Sequence, residues 1–357
     1  IYLEYNVKLK QNLVIIITTY ATFSTQEFTT LLKGAKIKTM IIADEVHNAG
    51  SDTRNSGLLD TYDFRLGLSA TPFRYFDDIG TDRILDYFKP MISCEKCRIH
   101  NSVVFKFELR DAIPRYLTEY DYFPHYVDLD DFEISEYRKK TQKIAQKISK
   151  LKEGKEKDEW LSMLLFERAK IIKNAHNKIK EFKNIIEKNP NLDYCVIYCA
   201  PSKGDKSRDQ IISVQNILNE YSITNYKIKS EELDFSEIVD VMEKFESGLI
   251  KVVESIQIFD EGLDIPQIKN AILLSSTGNP KQFIQRRGRV LRKWSGVYPD
   301  GSTKTHATIH DILVIPYLNS DVDPEVLKTE REIVKKELAR HEEMASISRN
   351  PNFGIDK

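Results

Sequence analysis

The sequence predicts an α/β protein made of two parallel-sheet layers with a helical segment between them. Three observations carry this. Short runs rich in Ile, Leu and Val, bounded by polar turns, fall into two groups along the chain. Each group alternates with segments whose apolar residues recur at helical spacing, and residues 131–188, which part the groups, show helical spacing alone. Runs that are apolar throughout, rather than every second residue, belong to strands buried on both faces of a parallel sheet. A chain of 357 residues, 41% hydrophobic, can fill more than one core.

In chain order, the first layer is expected over 1–112, with strands at Leu13–Thr18, Thr39–Ala43 and Arg65–Ser69. Residues 113–188 are expected to form a linker and a basic helical insert. There Lys and Arg outnumber Asp and Glu, and Gly154 in the run KLKEGKEKDE marks a turn between two long helices. The second layer, over 189–320, has strand candidates at Tyr194–Cys199, Ile250–Glu254, Asn270–Ser275 and Ala307–Val314, and a helix at Asp209–Glu220. Residues 321–357 read as a charged amphipathic helix from Pro324 to Ala345, proline suiting its first turn, and then a polar tail.

With 53 Lys+Arg against 54 Asp+Glu, any nucleic-acid surface must come from local clustering, not overall charge. Of four cysteines only Cys94 and Cys97 form a CxxC pair, and without a second pair they read as reduced thiols, not a zinc site. No apolar stretch reaches the roughly 18 residues of a membrane span and no signal peptide opens the chain, so a soluble, cytoplasmic protein without a membrane partner is expected, nucleoid-associated in a bacterium. The chain opens on Ile1, not Met, which points to a natural beginning farther upstream.

The chemistry-bearing residues sit where the strands end. Asp44-Glu45-Val46-His47 follows the TMIIA strand, placing two carboxylates at the edge where open α/β sheets bind ligands. Nucleotide hydrolysis needs one carboxylate to hold Mg²⁺ through water, here Asp44, and one to orient and deprotonate the attacking water, here Glu45. Taken alone, such a pair is also met at an ordinary loop or helix start. Ser69 and Thr71, in Gly67–Pro72 (GLSATP), leave the next strand with two hydroxyls that can bond His47; a Ser/Thr turn is the plainer alternative. In Phe259–Pro266 (FDEGLDIP), Gly262 allows close backbone approach to a ligand and Asp264 can accept from a ribose hydroxyl. If Gln285–Arg292 (QRRGRVLR) is helical, Gln285, Arg289 and Arg292 share one face, and such arginines can neutralise a transferring phosphoryl group. A solvated basic face is the alternative, against which Gly288 argues, since glycine inside a helix costs about 1 kcal/mol.

DEVH, GLSATP, FDEGLDIP and QRRGRVLR stand in the order and spacing of motifs II, III, V and VI of the superfamily 2 helicases, which this chain resembles. The phrases ITTYATF, ADEVHNAGS and RLGLSATPFR look most like the DNA-directed branch of XPB-type repair helicases and of helicase subunits in restriction and phage-defence systems. The resemblance implies two RecA-like domains of the P-loop NTPase type and an ATP- and Mg²⁺-dependent motor. It implies that Asp44 and Glu45 serve the metal and the water, that His47, Ser69 and Thr71 couple hydrolysis to movement, and that Arg289 and Arg292 act as arginine fingers. Gly262, Asp264 and Gln285 would bind nucleotide. Thr19 and Tyr20 in the first lobe, and Ser202, Lys203 and Ser255 in the second, would contact nucleic acid, with Pro201 opening the Ser202 loop. DNA is the implied partner, with nuclease or methyltransferase subunits beside it.

The family's phosphate-binding GxxxxGK[ST] loop is not found. Gly154-Lys155 and Gly204-Asp205-Lys206-Ser207 are imperfect imitations, so this polypeptide alone is expected to be weak or inactive as an ATPase. The basic insert is read as gripping DNA phosphates, with Trp160 and Phe166 as available aromatics; solvated faces of a joining hairpin are the alternative. A nucleic-acid-binding or regulatory module without turnover is the competing function. Glu153-Gly154-Lys155 has the ExK form of some nuclease sites but no paired aspartate strand.

Overall fold

The structure, a computed structural model, describes residues 14–74, 77–89, 103–150, 159–190, 192–200, 209–229, 235–256, 265–275, 286–316, 331, 335, 338 and 341–352. The chain divides into two units, 1–106 and 107–357.

In the first unit β1 (Met40–Ala43) and β2 (Phe64–Gly67) pair in parallel, Met40 opposite Phe64 and Ala43 opposite Gly67. The helices around them start where the sequence supplies caps. Thr19 accepts from the Thr22 N–H ahead of Tyr20–Phe23, Thr25 from the Phe28 N–H ahead of Gln26–Lys33, and Asp77 from the Gly80 N–H ahead of Asp78–Tyr87. Ile41 and Ala43 face a core of Phe23, Phe28, Val46, Leu59, Tyr62 and Ile84. Two expectations fail here. β1 buries one face only, Met40 and Ile42 being more than half exposed. Of the expected first strand, residues 14–18 are irregular, and Val14–Ile17 are 49–75% exposed, because among the described residues no strand pairs with them and no helix covers them. Gly57 is forced by contact, since a Cβ there would lie 2.2 Å from the Phe23 ring.

The second unit carries a six-stranded, wholly parallel sheet in the order β3-β8-β7-β4-β6-β5, formed by β3 (Tyr120–Val127), β4 (Cys195–Tyr198), β5 (Asn225–Lys229), β6 (Val252–Ile256), β7 (Asn270–Leu273) and β8 (Ala307–Val314). Helices Asn177–Lys188 and Gln210–Glu220 cover one face, packing Phe182, Ile186, Val214 and Leu218 on Cys195, Ile197, Val252 and Ile272. Helix Phe235–Glu246 and residues 341–347 cover the other, with Phe245 and Met344 beside Val196, Tyr198, Val253 and Ile309. Both faces are therefore buried, as all-parallel sheets require.

The boundaries drawn from sequence are corrected by this sheet. Residues 120–127, assigned to the linker, form edge strand β3, paired along its whole length with β8. The helix Asn177–Lys188, assigned to the insert, belongs to the sheet's cover. What projects as an insert is a pair of helices, Asp131–Lys150 and Glu159–Lys173, anchored at its base by Leu129, Tyr137, Ala175 and Val314. The turn at Gly154, with Glu153 and Lys155, lies outside the described residues, as do Cys94, Cys97 and Gly204–Ser207. Residues 349 and 350 dock on the sheet: Asn350 bonds both the N–H and the carbonyl of Tyr122, and the Arg349 N–H donates to the Tyr120 carbonyl, covering the open edge of β3. Among the described residues no helix is long and apolar enough to cross a membrane.

Candidate functional site

Asp44 and Glu45 leave the carboxyl end of β1 in a tight turn. The Val46 N–H donates to the Leu68 carbonyl (2.9 Å) and the Leu68 N–H to the Ala43 carbonyl (2.8 Å), so the exits of β1 and β2 are tied together. Glu45 takes a left-handed conformation (φ 47°), a strained one for a residue with a side chain, and its N–H donates to Asp44 Oδ1 at 2.9 Å. The turn runs on into a 3₁₀ segment, Val46–Gly50, that buries His47. His47 Nδ1 lies 3.1 Å from Ser69 Oγ and 3.3 Å from Glu45 Oε2. Ser69 has one hydroxyl proton and gives it to the Thr71 carbonyl at 2.6 Å, so toward His47 it accepts, which assigns the Nδ1 proton to the histidine.

Two more groups hold this turn. The Tyr20 hydroxyl donates to the Asp44 carbonyl at 2.6 Å; burial, then the nearby Asp44 and Glu45 carboxylates, push its phenol up to about 12. Tyr20, expected to meet nucleic acid, thus spends its hydroxyl inward, while Thr19 caps its short helix from an exposed position. Arg74 donates to the His47 carbonyl and pairs with Asp77 at 2.8 Å. Sequence reasoning gave Arg74 no role, since a bond to a main-chain carbonyl leaves no pattern in the chain.

In the second unit the arginine-rich run divides its labour. Arg286 is buried, donates to the Ser275 carbonyl at 2.8 Å and lies over the Tyr198 ring. Arg287 is buried against Glu343 and the Met344 sulfur. Arg289 and Arg292 are only partly buried. The single helical face expected for them is not formed: helix ends at Val290, and Arg292 sits in an antiparallel bridge with Leu117. The cause is visible in Lys304, which sequence reasoning missed. Its buried Nζ donates to the carbonyls of Pro266, Val290 and Arg292 at 2.9, 2.8 and 2.7 Å, closing the end of the helix and tying it to the last residue of FDEGLDIP. Gly262, Asp264, Gln285, Pro201, Ser202 and Lys203 lie outside the described residues. Ser255, expected to offer a further backbone contact, lies in β6 with its side chain buried.

A family model described as the type III restriction enzyme, res subunit, matches residues 3–74, and one described as the helicase conserved C-terminal domain matches 177–293. A DNA 3'-5' translocase XPB2 of Sulfurisphaera tokodaii is 26% identical over 271 residues, covering 71% of this chain and 56% of its own. Putative helicase 22 of a Sulfolobus islandicus filamentous virus is 23% identical over 257 residues, covering 71% of this chain and 40% of its own. The chain thus spans about half the length of these relatives. Among solved structures, the ATP-dependent Type ISP restriction-modification enzyme LlaBIII bound to DNA matches 91% of this chain and 21% of its own, with TM-score 0.50 and 16% identity. At that identity the match speaks for the fold alone.

Proposed function

Because the chain belongs to the superfamily 2 helicases of the XPB-like and restriction-subunit type, we propose that it is the motor of an ATP-dependent DNA translocase or helicase, working in repair or within a restriction or defence complex beside nuclease or methyltransferase subunits. The observation that carries this reading is the cluster of Glu45, His47 and Ser69 at the paired exits of β1 and β2. The donors there suit Mg²⁺ and ATP: two adjacent carboxylates at a sheet edge, one of them fixed by a main-chain N–H.

In this reading Asp44 would hold Mg²⁺. Glu45 orients the attacking water and takes its proton. When bound, Mg·ATP supplies an electrophilic phosphoryl group whose charge the metal spreads. Arg289 and Arg292 are assigned to the charge on the transferring phosphoryl oxygens, a contribution worth about 10³ to 10⁵ in rate. His47, whose Nδ1 lies near both Glu45 and Ser69, is assigned to relay a change at the carboxylate to the exit of β2. DNA is assigned as the track, with Thr19, Ser202 and Lys203 as candidate contacts.

The test is Glu45→Gln in the full natural protein. DNA-stimulated ATP hydrolysis should fall by about 10² or more, the scale of a lost general base, while DNA binding stays. Unchanged hydrolysis sinks the motor assignment.

A further inference from the structure

The paired helices Asp131–Lys150 and Glu159–Lys173 carry a surface that no step above uses. On the second helix Trp160, Met163 and Phe166 stand at successive i, i+3 positions and are 45%, 47% and 68% exposed. The base of the pair is packed by other residues, so this row is not its core. On the facing helix Lys140, Lys143 and Lys147 form a parallel row. The two rows are held side by side: Lys140 pairs with Glu167 at 2.5 Å, and the Lys147 ammonium lies 5.4 Å from the centre of the Trp160 ring. The acids beside the lysines are already engaged, Glu167 by Lys140 and Glu136 by Lys139. Lys143 and Lys170 add exposed positive charge.

Flat apolar faces flanked by ammonium groups match one kind of occupant, a chain that carries both unstacked aromatic faces and a regular negative backbone. We propose that this strip binds an unpaired strand of nucleic acid, its bases stacking on Trp160 and Phe166 and its phosphates meeting Lys143 and Lys147. Duplex DNA presents phosphates but hides its base faces, so it would use only half of the strip. From Trp160 to Phe166 the helix rises about 9 Å, room for about two bases. Base–aromatic stacking tolerates any sequence, which suits a protein that moves along a strand. Lys147 lies over the indole, and cation–π attraction holds the ring in place.

This inference rests on nucleic acid being the protein's track, but its test needs neither ATP nor hydrolysis. The chain has two tryptophans. Trp294→Phe leaves Trp160 as the only one, without touching the strip. Titrating that protein with a 20-nucleotide oligo(dT) should quench Trp160 emission, and an abasic strand of the same length and charge should not. Oligo(rU) tells whether RNA serves as well. Trp160→Ala and Phe166→Ala should each weaken oligo(dT) binding about fivefold or more, and Trp160→Phe should restore it to within about twofold. Emission unchanged at saturating oligo(dT) overturns the proposal, as does equal affinity for the abasic strand. So does self-association, seen in sedimentation and lost in Phe166→Ala, that oligo(dT) does not compete away. Either of the first two results would leave the Glu45 test of the motor untouched.

Discussion

The hydroxyl of Ser69 lies 3.1 Å from Nδ1 of His47, across 22 residues of sequence. The contact exists because β1 and β2 are parallel neighbours in register, so the residues leaving their carboxyl ends emerge side by side. Ser69→Ala removes the acceptor from His47 and the bond to Thr71 while leaving both Glu45 and Asp44 in place. In the full protein, basal ATP hydrolysis should change less than about threefold, whereas distance moved per ATP, followed by displacement of a triplex-forming strand, should drop about tenfold. Equal loss of both would place Ser69 in the chemistry and not in its coupling.

Gly57 predicts a stability effect in the first unit. Its missing Cβ would fall 2.2 Å from Phe23 Cε1 and 2.6 Å from the Phe23 carbonyl, and Phe23 is a buried member of that unit's core. Gly57→Ala must displace the ring or the main chain. Overpacking of this kind costs about 1–3 kcal/mol. Urea unfolding followed by circular dichroism should show it, and an unchanged midpoint would mean that the Phe23 ring has space to move.

The central strands β4, β6, β7 and β8 could be read from the sequence because each, with neighbours on both sides, carries a short unbroken run of apolar residues, as in Cys195–Tyr198 and, within β8, Ile312–Val314. The edges could not. β3 reads YDYFPHYV, with Pro124 inside it, and β5 reads NYKIK; each pairs on one side among the described residues, so each carries polar residues that break the run. The same logic divides the candidate site. Asp44, Glu45, His47 and Ser69 act through side chains at strand exits and leave a motif. Arg74 and Lys304 act on main-chain carbonyls, which every residue type carries, so nothing in the sequence points from donor to acceptor.

Glu254 predicts a pH dependence. Its carboxyl is fully buried in β6 with neither oxygen bonded among the described residues, and burial raises its pKa to about 8 against an ordinary value near 4.5. Between those values the folded chain holds a proton that the unfolded chain has released. Stability must therefore fall as pH rises from about 5 to 8, by about 3–5 kcal/mol from this group. Glu254→Gln abolishes the titration, so its urea midpoint should lose that slope and exceed the wild type's at pH 8. Parallel pH profiles for the two proteins would show that Glu254 is ionised in the fold.

Lys304 predicts a combined loss of stability and rate. Its ammonium has three N–H donors and meets three carbonyls, those of Pro266, Val290 and Arg292. Burial pulls its pKa down to about 7, yet three acceptors for three donors describe the protonated form. Lys304→Met keeps much of the aliphatic stem and removes every donor. The Arg292 carbonyl retains a long bond from the Thr118 hydroxyl at 3.4 Å, but those of Pro266 and Val290 lose their bond to the ammonium. At about 1–3 kcal/mol for each buried acceptor left unsatisfied, the variant should lose about 2–4 kcal/mol in urea unfolding. Because the same bonds fix where the helix ends and where Arg292 begins, kcat for ATP should fall at least tenfold in the full protein with KM changed less than threefold. A variant that loses stability but keeps kcat would leave Lys304 as a strut for the fold with no part in placing the arginine.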